Sequence, residues 1–179
     1  MIRWLASSAE QCEIWGLDVS APHIVWCQEN LSPPFSFATI TTNPHLPFKD
    51  EHFDLVCCGS VFTHIDDLSD AWLLEIKRIM RPKGRAYTTV HDNHTLDLVI
   101  NHIDRVPYAK DVREYLLSYD KHLHFMQSDW YKFCILSGSP RVNVFYNIHY
   151  LRQYWGRMLH IVSVTPEAYG YQTAIVLKK

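Results

Sequence analysis

The 179-residue sequence lacks a long apolar run and lacks a marked excess of charge of either sign. Its longest apolar stretches, such as residues 55–58 and 174–177, fall far short of the roughly 18 to 20 residues that a membrane-spanning helix needs. The 17 basic and 19 acidic side chains give a formal charge of -2, so no basic surface favours nucleic acid or an anionic membrane. We therefore expect neither a membrane segment nor a nucleic-acid partner.

Cysteine is sparse as well. The five cysteines are odd in number and none has the Cys-x-x-Cys spacing, so the sequence predicts neither a disulfide framework nor a cysteine metal site. The histidine pairs 91/94 and 122/124 have no third or fourth ligand at a recognisable spacing, and we expect no metal. Residues 1–9 carry one positive charge and a brief apolar core, which is not typical of a signal peptide. We expect a cytoplasmic protein.

What the sequence does contain is an alternation of helical and short apolar segments over its first 91 residues. This pattern is typical of βαβ units, in which helices cover a parallel sheet. The hydrophobic content of 47% and the length are sufficient for one α/β domain with a sizeable core. We therefore expect a single domain over residues 1–179.

The periodicity predicts individual elements. The tail of a helix should occupy residues 1–9. Further helices are expected over residues 21–29, 68–80, 95–103, 112–119 and 150–158. Strands are expected over residues 12–17, 37–42, 53–58, 85–90, 131–136, 142–146, 161–164 and 172–177. Asp67 or Ser69 could cap the helix at 68–80, and residues 82–84, Pro-Lys-Gly, should stop it.

Three predicted strands of the first half end in residues suited to binding. Asp18 ends the first, and a carboxylate there can accept both hydroxyl hydrogens of a ribose. Gly59 and Ser60 follow another, where the absent glycine side chain lets a ligand approach the backbone. His91 and Asp92 follow the next. Ligands of open parallel sheets bind at this carboxyl edge, so we expect the site there.

Three ordered blocks carry a family resemblance. Residues 16–20 read Gly-Leu-Asp-Val-Ser, residues 46–56 contain Leu-Pro-Phe and Phe-Asp, and residues 76–84 end in Arg-Pro-Lys-Gly. In this order and spacing the sequence resembles the class I S-adenosylmethionine-dependent methyltransferases of the type 11 branch, over about residues 1–91. The resemblance implies a Rossmann-like, mostly parallel sheet whose last strand is antiparallel, and S-adenosylmethionine as cofactor.

The resemblance also implies roles for particular residues. Asp18 would hold the cofactor ribose, Val19 would flank the adenine, and Thr42 and Asn43 would lie at the adenine edge. The pair 59–60 would face the methionine part of the cofactor.

On the acceptor side, His64 would look toward the substrate, where a general base can assist transfer to a positioned nucleophile. Simple packing or capping by this histidine remains the alternative. Residues 93–128 form an expected substrate-side insertion over the pocket. Because nothing recommends nucleic acid, we expect a small-molecule methyl acceptor.

One part of the family pattern is absent from the sequence. The glycine-rich loop that follows the family's first strand should precede residue 1, because the chain opens inside the next helix. The first strand should lie between the strands ending at Asp18 and Gly59, so we expect two unpaired strand edges and marginal stability. Either the natural protein is longer or the chain is a degenerate form. Two further hypotheses remain: a non-catalytic, partner-binding remnant, and an NAD-dependent oxidoreductase, which also places an acidic residue after its second strand.

Overall fold

The computed structural model describes residues 2–118, 125, 130–136 and 141–179. The chain divides into two compact units, Met1–Leu46 and Pro47–Lys179, and each is described on its own below. No helix among the described residues is long and apolar enough to cross a membrane. The same residues contain no cluster of three or more histidine, cysteine or acidic side chains that could hold a metal ion.

The first unit is a small α/β layer. A 3-10 helix, Ile2–Ser8, precedes strand β1, Trp15–Asp18, helix α1, Ala21–Leu31, and strand β2, Ser36–Thr39. The two strands are parallel, with Asp18 opposite Thr39. The buried residues of this unit's core come from the helix, from the second strand and from the residue just before that strand: Ile24, Phe37 and Phe35. The predicted βαβ unit is confirmed, although the first segment is a 3-10 helix and not the end of an α-helix.

In its described residues the second unit contains the main sheet, a smaller strand pair and four α-helices of more than one turn each. Its strands are β3, Phe53–Cys58, β4, Met80–Val90, β5, Lys132–Ile135, β6, Asn143–Tyr146, β7, His160–Tyr169, and β8, Gln172–Lys178. Its α-helices are α2, Ser69–Ile79, α3, Asn93–Asn101, α4, Lys110–Leu117, and α5, Ile148–Met158. Two 3-10 helices, Phe62–His64 and Pro107–Ala109, connect them.

The main sheet has the strand order β3-β4-β8-β7. Strands β3 and β4 are parallel, whereas β8 runs antiparallel to both of its neighbours. This arrangement confirms the expected closing antiparallel hairpin. Among the described strands, β1 pairs only with β2 and β3 only with β4, so each leaves one edge without a strand partner.

The second unit has two hydrophobic clusters. One packs α2 and α5 on the main sheet, with Phe62, Leu73 and Trp155 fully buried. The other joins α3 and α4 to the pair β5-β6 through residues such as Leu116 and Phe133. The predicted insertion over 93–128 contains these last two helices. Its residues 119–124 and 126–128 lie outside the described residues, as do residues 137–140 between β5 and β6.

Some predicted boundaries were wrong. Strand β4 begins at Met80 and not at Arg85, because the chain re-pairs with β3 through a bulge in which Lys83 has a left-handed φ of 68°. Helix α2 has Leu68 at its N-cap, with a φ of 57° and no side-chain cap, so neither predicted cap residue acts as one. Strand β7 continues through Pro166 to Tyr169. Gly170, with a φ of 61°, lies in the turn before β8.

Candidate functional site

Asp18 ends β1 in the first unit with an exposed carboxylate. Its Oδ1 accepts a hydrogen bond from the backbone N–H of Ser20 at 2.7 Å, which fixes the side chain at the start of α1. Its backbone carbonyl accepts from the N–H of Ile40 at 2.9 Å, so the end of β2 lies beside it. The second carboxylate oxygen has no protein partner among the described residues and is available to a ligand.

The neighbouring predicted residues lie at the same carboxyl edge. Val19 is 56% exposed. The loop after β2 turns at Asn43, whose N–H donates to Thr41 Oγ1 at 3.2 Å and whose carbonyl accepts from the N–H of His45 at 2.7 Å. Thr42 and Asn43 are exposed on this loop. An exposed apolar side chain therefore follows β1, and two exposed polar residues follow β2.

In the second unit the turn after β3 contains a left-handed residue. This residue is Ser60, with a φ of 55°. The N–H of Ser60 donates to Thr89 Oγ1 at 2.8 Å, and its Oγ accepts from Gln172 Nε2 at 2.7 Å. The hydroxyl hydrogen of Ser60 is therefore free to donate to a ligand.

His64 ends the 3-10 helix after this turn. Its Nδ1 lies 2.8 Å from the carbonyl oxygen of Val142. Because a carbonyl can only accept, Nδ1 must carry the hydrogen, and the neutral ring presents a lone pair at Nε2. The side chain is exposed, so this tautomer leaves a proton acceptor accessible at the carboxyl end of the sheet.

His64 lines a cavity of about 870 Å³ in the second unit. Arg141 and Asn143 contribute from the start of β6, and Asp111, Glu114 and Tyr115 contribute from α4. The lining therefore mixes both signs of charge with an aromatic ring. A cavity of this size can hold a small organic molecule.

His91, directly after β4, is 1% exposed. Its ring lies 5.0 Å from that of Phe145 and stacks on that of Tyr171 at 5.2 Å. Both ring nitrogens are buried and have no hydrogen-bond partner among the described residues. Burial, assisted by the nearby charge of His64, lowers the pKa of His91 to about 3, so the ring is neutral. The sequence marked this position as a strand end, but the burial of the ring depends on residues distant in sequence.

Asp92, the other residue of that predicted strand end, has a structural contact. Its Oδ1 accepts from the backbone N–H of Thr95 at 3.0 Å, which caps the first turn of α3. The Asp92 carboxylate therefore caps α3, and its observed hydrogen bonds are to residue 95 of that helix.

Two of the sequence blocks are joined by Arg78. Its guanidinium donates to both carboxylate oxygens of Glu75, to the carbonyl of Phe48 at 2.8 Å and to Asp50 at 2.7 Å. The block at 46–56 is thereby fixed to the helix that precedes the Arg-Pro-Lys-Gly block. These contacts hold the two blocks together at the starts of β3 and β4.

The predicted site residues therefore fall into two groups. Asp18, Val19, Thr42 and Asn43 lie at the carboxyl edge of the first unit, and Gly59, Ser60 and His64 lie at that of the second. The first unit presents an exposed carboxylate with one free oxygen and an exposed apolar side chain beside it in sequence, and the second unit presents a hydroxyl with a free hydrogen; each suits a part of an adenosine-containing cofactor. No Gly-x-Gly spacing occurs in the sequence, so the chain's own glycines do not supply the family's loop.

This fold is that of a Rossmann-like methyltransferase, and comparison with solved structures agrees. A S-adenosylmethionine-dependent methyltransferase of Methanosarcina mazei aligns with 98% of this chain and 86% of its own, at a TM-score of 0.63 and 14% identity. The 1,6-didemethyltoxoflavin-N1-methyltransferase of Burkholderia thailandensis, solved with 1,6-didemethyltoxoflavin and S-adenosylhomocysteine, aligns with 99% of this chain and 66% of its own, at a TM-score of 0.57 and 14% identity.

Sequence comparison identifies the family. Residues 1–88 match the family described as "Methyltransferase domain". The uncharacterized methyltransferase YcgJ of Bacillus subtilis is 32% identical over 80 residues, or 43% of this chain. In three curated relatives the matched segments cover 22% to 32% of the relative's own length. The family match, the relatives and the solved structures together support a class I S-adenosylmethionine-dependent methyltransferase, a family whose cofactor is S-adenosylmethionine.

Proposed function

We propose that this chain binds S-adenosylmethionine and takes part in methyl transfer to a small-molecule acceptor. One observation carries the proposal: the Asp18 carboxylate is held by the Ser20 N–H through one oxygen and leaves the other free at the carboxyl edge of a parallel strand pair. This is the arrangement that accepts hydrogen bonds from the hydroxyls of a ribose.

The cofactor, when bound, supplies a methyl group on a positively charged sulfur. The residues of this chain would bind and orient it: Asp18 at the ribose, Val19 with Thr42 and Asn43 at the adenine, and Gly59 with Ser60 at the methionine part. These roles follow from the family resemblance and from the exposure and free hydrogen-bonding atoms described above.

His64 is our candidate for the proton acceptor. Its Nδ1–H is engaged by the Val142 carbonyl, so Nε2 can take a proton from a hydroxyl or amine of an acceptor in the cavity of about 870 Å³. The size of that cavity favours a small molecule as the acceptor. The chain's balanced charge does not favour nucleic acid.

Calorimetric titration with S-adenosylhomocysteine and, separately, with NAD tests the cofactor. We expect binding of the first only. Asp18→Asn keeps an acceptor for the Ser20 N–H but removes the charge, and should weaken binding by about 10- to 100-fold. Glu29→Gln, an equally conservative change at an exposed position in the same unit, should not. Equal affinity of both variants would overturn the role of Asp18.

The acceptor class is tested by incubating the protein with methyl-labelled cofactor and a cell extract fractionated by size. We expect label in the small-molecule fraction, and less of it with His64→Phe at unchanged affinity for S-adenosylhomocysteine. Label in the protein or RNA fraction would contradict the small-molecule assignment.

A second candidate function is supported by the two strand edges without partners, on β1 and β3. A chain that binds neither S-adenosylhomocysteine nor NAD would be a non-catalytic, partner-binding form of the fold, because such edges can accept a strand from another protein. Binding of NAD alone would instead support the oxidoreductase hypothesis.

A further inference from the structure

Three polar side chains in the second unit form a closed cycle of hydrogen bonds. The N–H of Ser60 donates to Thr89 Oγ1 at 2.8 Å, the hydroxyl of Thr89 donates to Gln172 Oε1 at 2.6 Å, and Gln172 Nε2 donates to Ser60 Oγ at 2.7 Å. The cycle connects the turn after β3 with the end of β4 and the start of β8.

The cycle is protected from solvent. Thr89 is fully buried and Gln172 is 7% exposed. Buried hydrogen bonds meet little competition from water, and a member that loses its partner is costly. The Gln172 amide accepts from Thr89 through its oxygen and donates to Ser60 through its nitrogen, and an apolar side chain at position 172 could do neither.

The residue that the cycle fixes is strained. Ser60 has a φ of 55°, a left-handed conformation that residues with a Cβ rarely adopt. Its N–H and its Oγ are both engaged by the cycle, which therefore holds the backbone in this conformation. Because Oγ accepts from Gln172, the hydroxyl hydrogen is left to donate elsewhere.

We propose that Gln172 is a positioning residue for the cofactor turn: together with Thr89 it holds Ser60 so that the backbone after β3 and the free hydroxyl hydrogen face the methionine part of S-adenosylmethionine. This inference rests on the proposed function for its ligand. The hydroxyl and the adjacent backbone suit a carboxylate or amino group, which is what that part of the cofactor carries.

The first test compares neighbouring threonines. Thr89→Val breaks the cycle, whereas Thr88→Val makes the same change at an equally buried neighbour whose hydroxyl contacts Ile175 O at 3.3 Å. We expect Thr89→Val and Gln172→Leu to raise the Kd for S-adenosylhomocysteine at least about tenfold, and Thr88→Val to leave it within about twofold. Equal effects of the two threonine variants would overturn the proposal.

The second test asks whether Gln172 acts through Ser60. Ser60→Gly makes the left-handed conformation easy and removes the hydroxyl that Gln172 contacts. In the Ser60→Gly background, Gln172→Leu should therefore have no further effect on the Kd for S-adenosylhomocysteine, although it weakens binding in the wild-type background. Additive losses in the double variant would show that Gln172 acts elsewhere and would overturn the proposal.

The third test needs no cofactor. Amide hydrogen exchange at Ser60 should be slow in the free wild-type chain and faster in Gln172→Leu, with exchange in β4 and β8 unchanged. If the wild type fails to bind S-adenosylhomocysteine, the proposed function fails, and exchange still decides whether Gln172 fixes the turn. Unchanged exchange at Ser60 would refute the positioning role even in a chain that binds cofactor.

Discussion

Arg78 and Glu75 form a two-bond ion pair one helical turn apart. The Nε of Arg78 donates to Oε2 of Glu75 at 2.8 Å, and its Nη2 donates to Oε1 at 2.6 Å. The Glu75 side chain is only 6% exposed, so these two hydrogen bonds are largely shielded from water. The same guanidinium donates to the carbonyl of Phe48 and so brings two blocks that are separated in sequence into contact.

Replacement of Arg78 by lysine should destabilise the fold. A lysine cannot make two parallel bonds to a carboxylate, so at least one of the two hydrogen bonds to the buried Glu75 side chain is lost. We expect a loss of about 1 to 3 kcal/mol in the free energy of unfolding, measured by urea denaturation. Arg81→Lys is the control, because its ion pair with Asp54 is exposed on both sides and should change stability by less than about 0.5 kcal/mol.

Replacement of Gly84 by alanine should also destabilise. A Cβ at this position would lie 2.8 Å from the carbonyl oxygen of Arg81 and 3.2 Å from that of Asp54, and the backbone of the β3–β4 bulge would have to move. We expect a loss of about 1 to 3 kcal/mol in thermal or urea unfolding.

The matched control, Gly156→Ala, should have the opposite sign. Its nearest non-local atom would be 3.9 Å from the new Cβ, and glycine is a poor helix former, so α5 should gain up to about 1 kcal/mol. A loss of stability in both alanine variants would contradict the steric argument.

The stability of the protein should fall in acid because of His91. The pKa of this buried ring is lowered from 6.5 to about 3, so between these values the unfolded chain binds a proton that the folded chain does not. The contribution of the neutral, buried His91 ring to the free energy of unfolding is fully present above pH 6.5. It is lost as the pH falls toward 3, with a slope of at most about 1.4 kcal/mol per pH unit.

Urea denaturation between pH 4 and 7.5 measures this slope. His91→Phe, which preserves an aromatic ring between Phe145 and Tyr171, should make the free energy of unfolding less dependent on pH than in the wild type over that range. His149→Phe alters an exposed histidine of α5 and should leave the slope as it is. Parallel curves for wild type and His91→Phe would mean that the buried imidazole does not govern acid stability.

The free edge of β3 should promote self-association. Leu55 is 59% exposed on this strand, and an apolar edge strand without a partner is a site of aggregation. Leu55→Lys should reduce light scattering at high protein concentration while changing the free energy of unfolding by less than about 0.5 kcal/mol. Leu177→Lys, at a fully buried position of β8, should instead prevent folding. Unaltered scattering by the first variant would argue against the edge.

Local pattern was enough to predict much of the architecture. Strand β3 has the predicted bounds, Phe53–Cys58, and α1 begins at Ala21 as expected, because apolar runs and a proline in the first turn are local signals. The start of β4 was mispredicted because Pro-Lys-Gly usually marks the end of a helix and a turn. Here the strand continues through these residues, since pairing with β3 extends it around a bulge. Tertiary pairing overrode the local signal.

The candidate site was predictable only in part. Residues at strand ends, such as Asp18 and Ser60, can be found from sequence because parallel strands place their carboxyl ends at one edge; their binding roles stay predictions. The cycle with Gln172 and the burial of His91 under Tyr171 could not be found, because each joins residues far apart in the chain with no periodic signal.

The hydrogen-bond cycle also sets an order of events during synthesis. Gln172 is synthesised 112 residues after Ser60. The turn after β3 therefore cannot complete its hydrogen-bond cycle until the Gln172 side chain has been added to the chain. Before Gln172 is synthesised, the complete cycle that holds Ser60 in its left-handed backbone conformation cannot form. The turn after β3 is therefore among the last parts of the second unit to mature, although it precedes most of that unit in sequence.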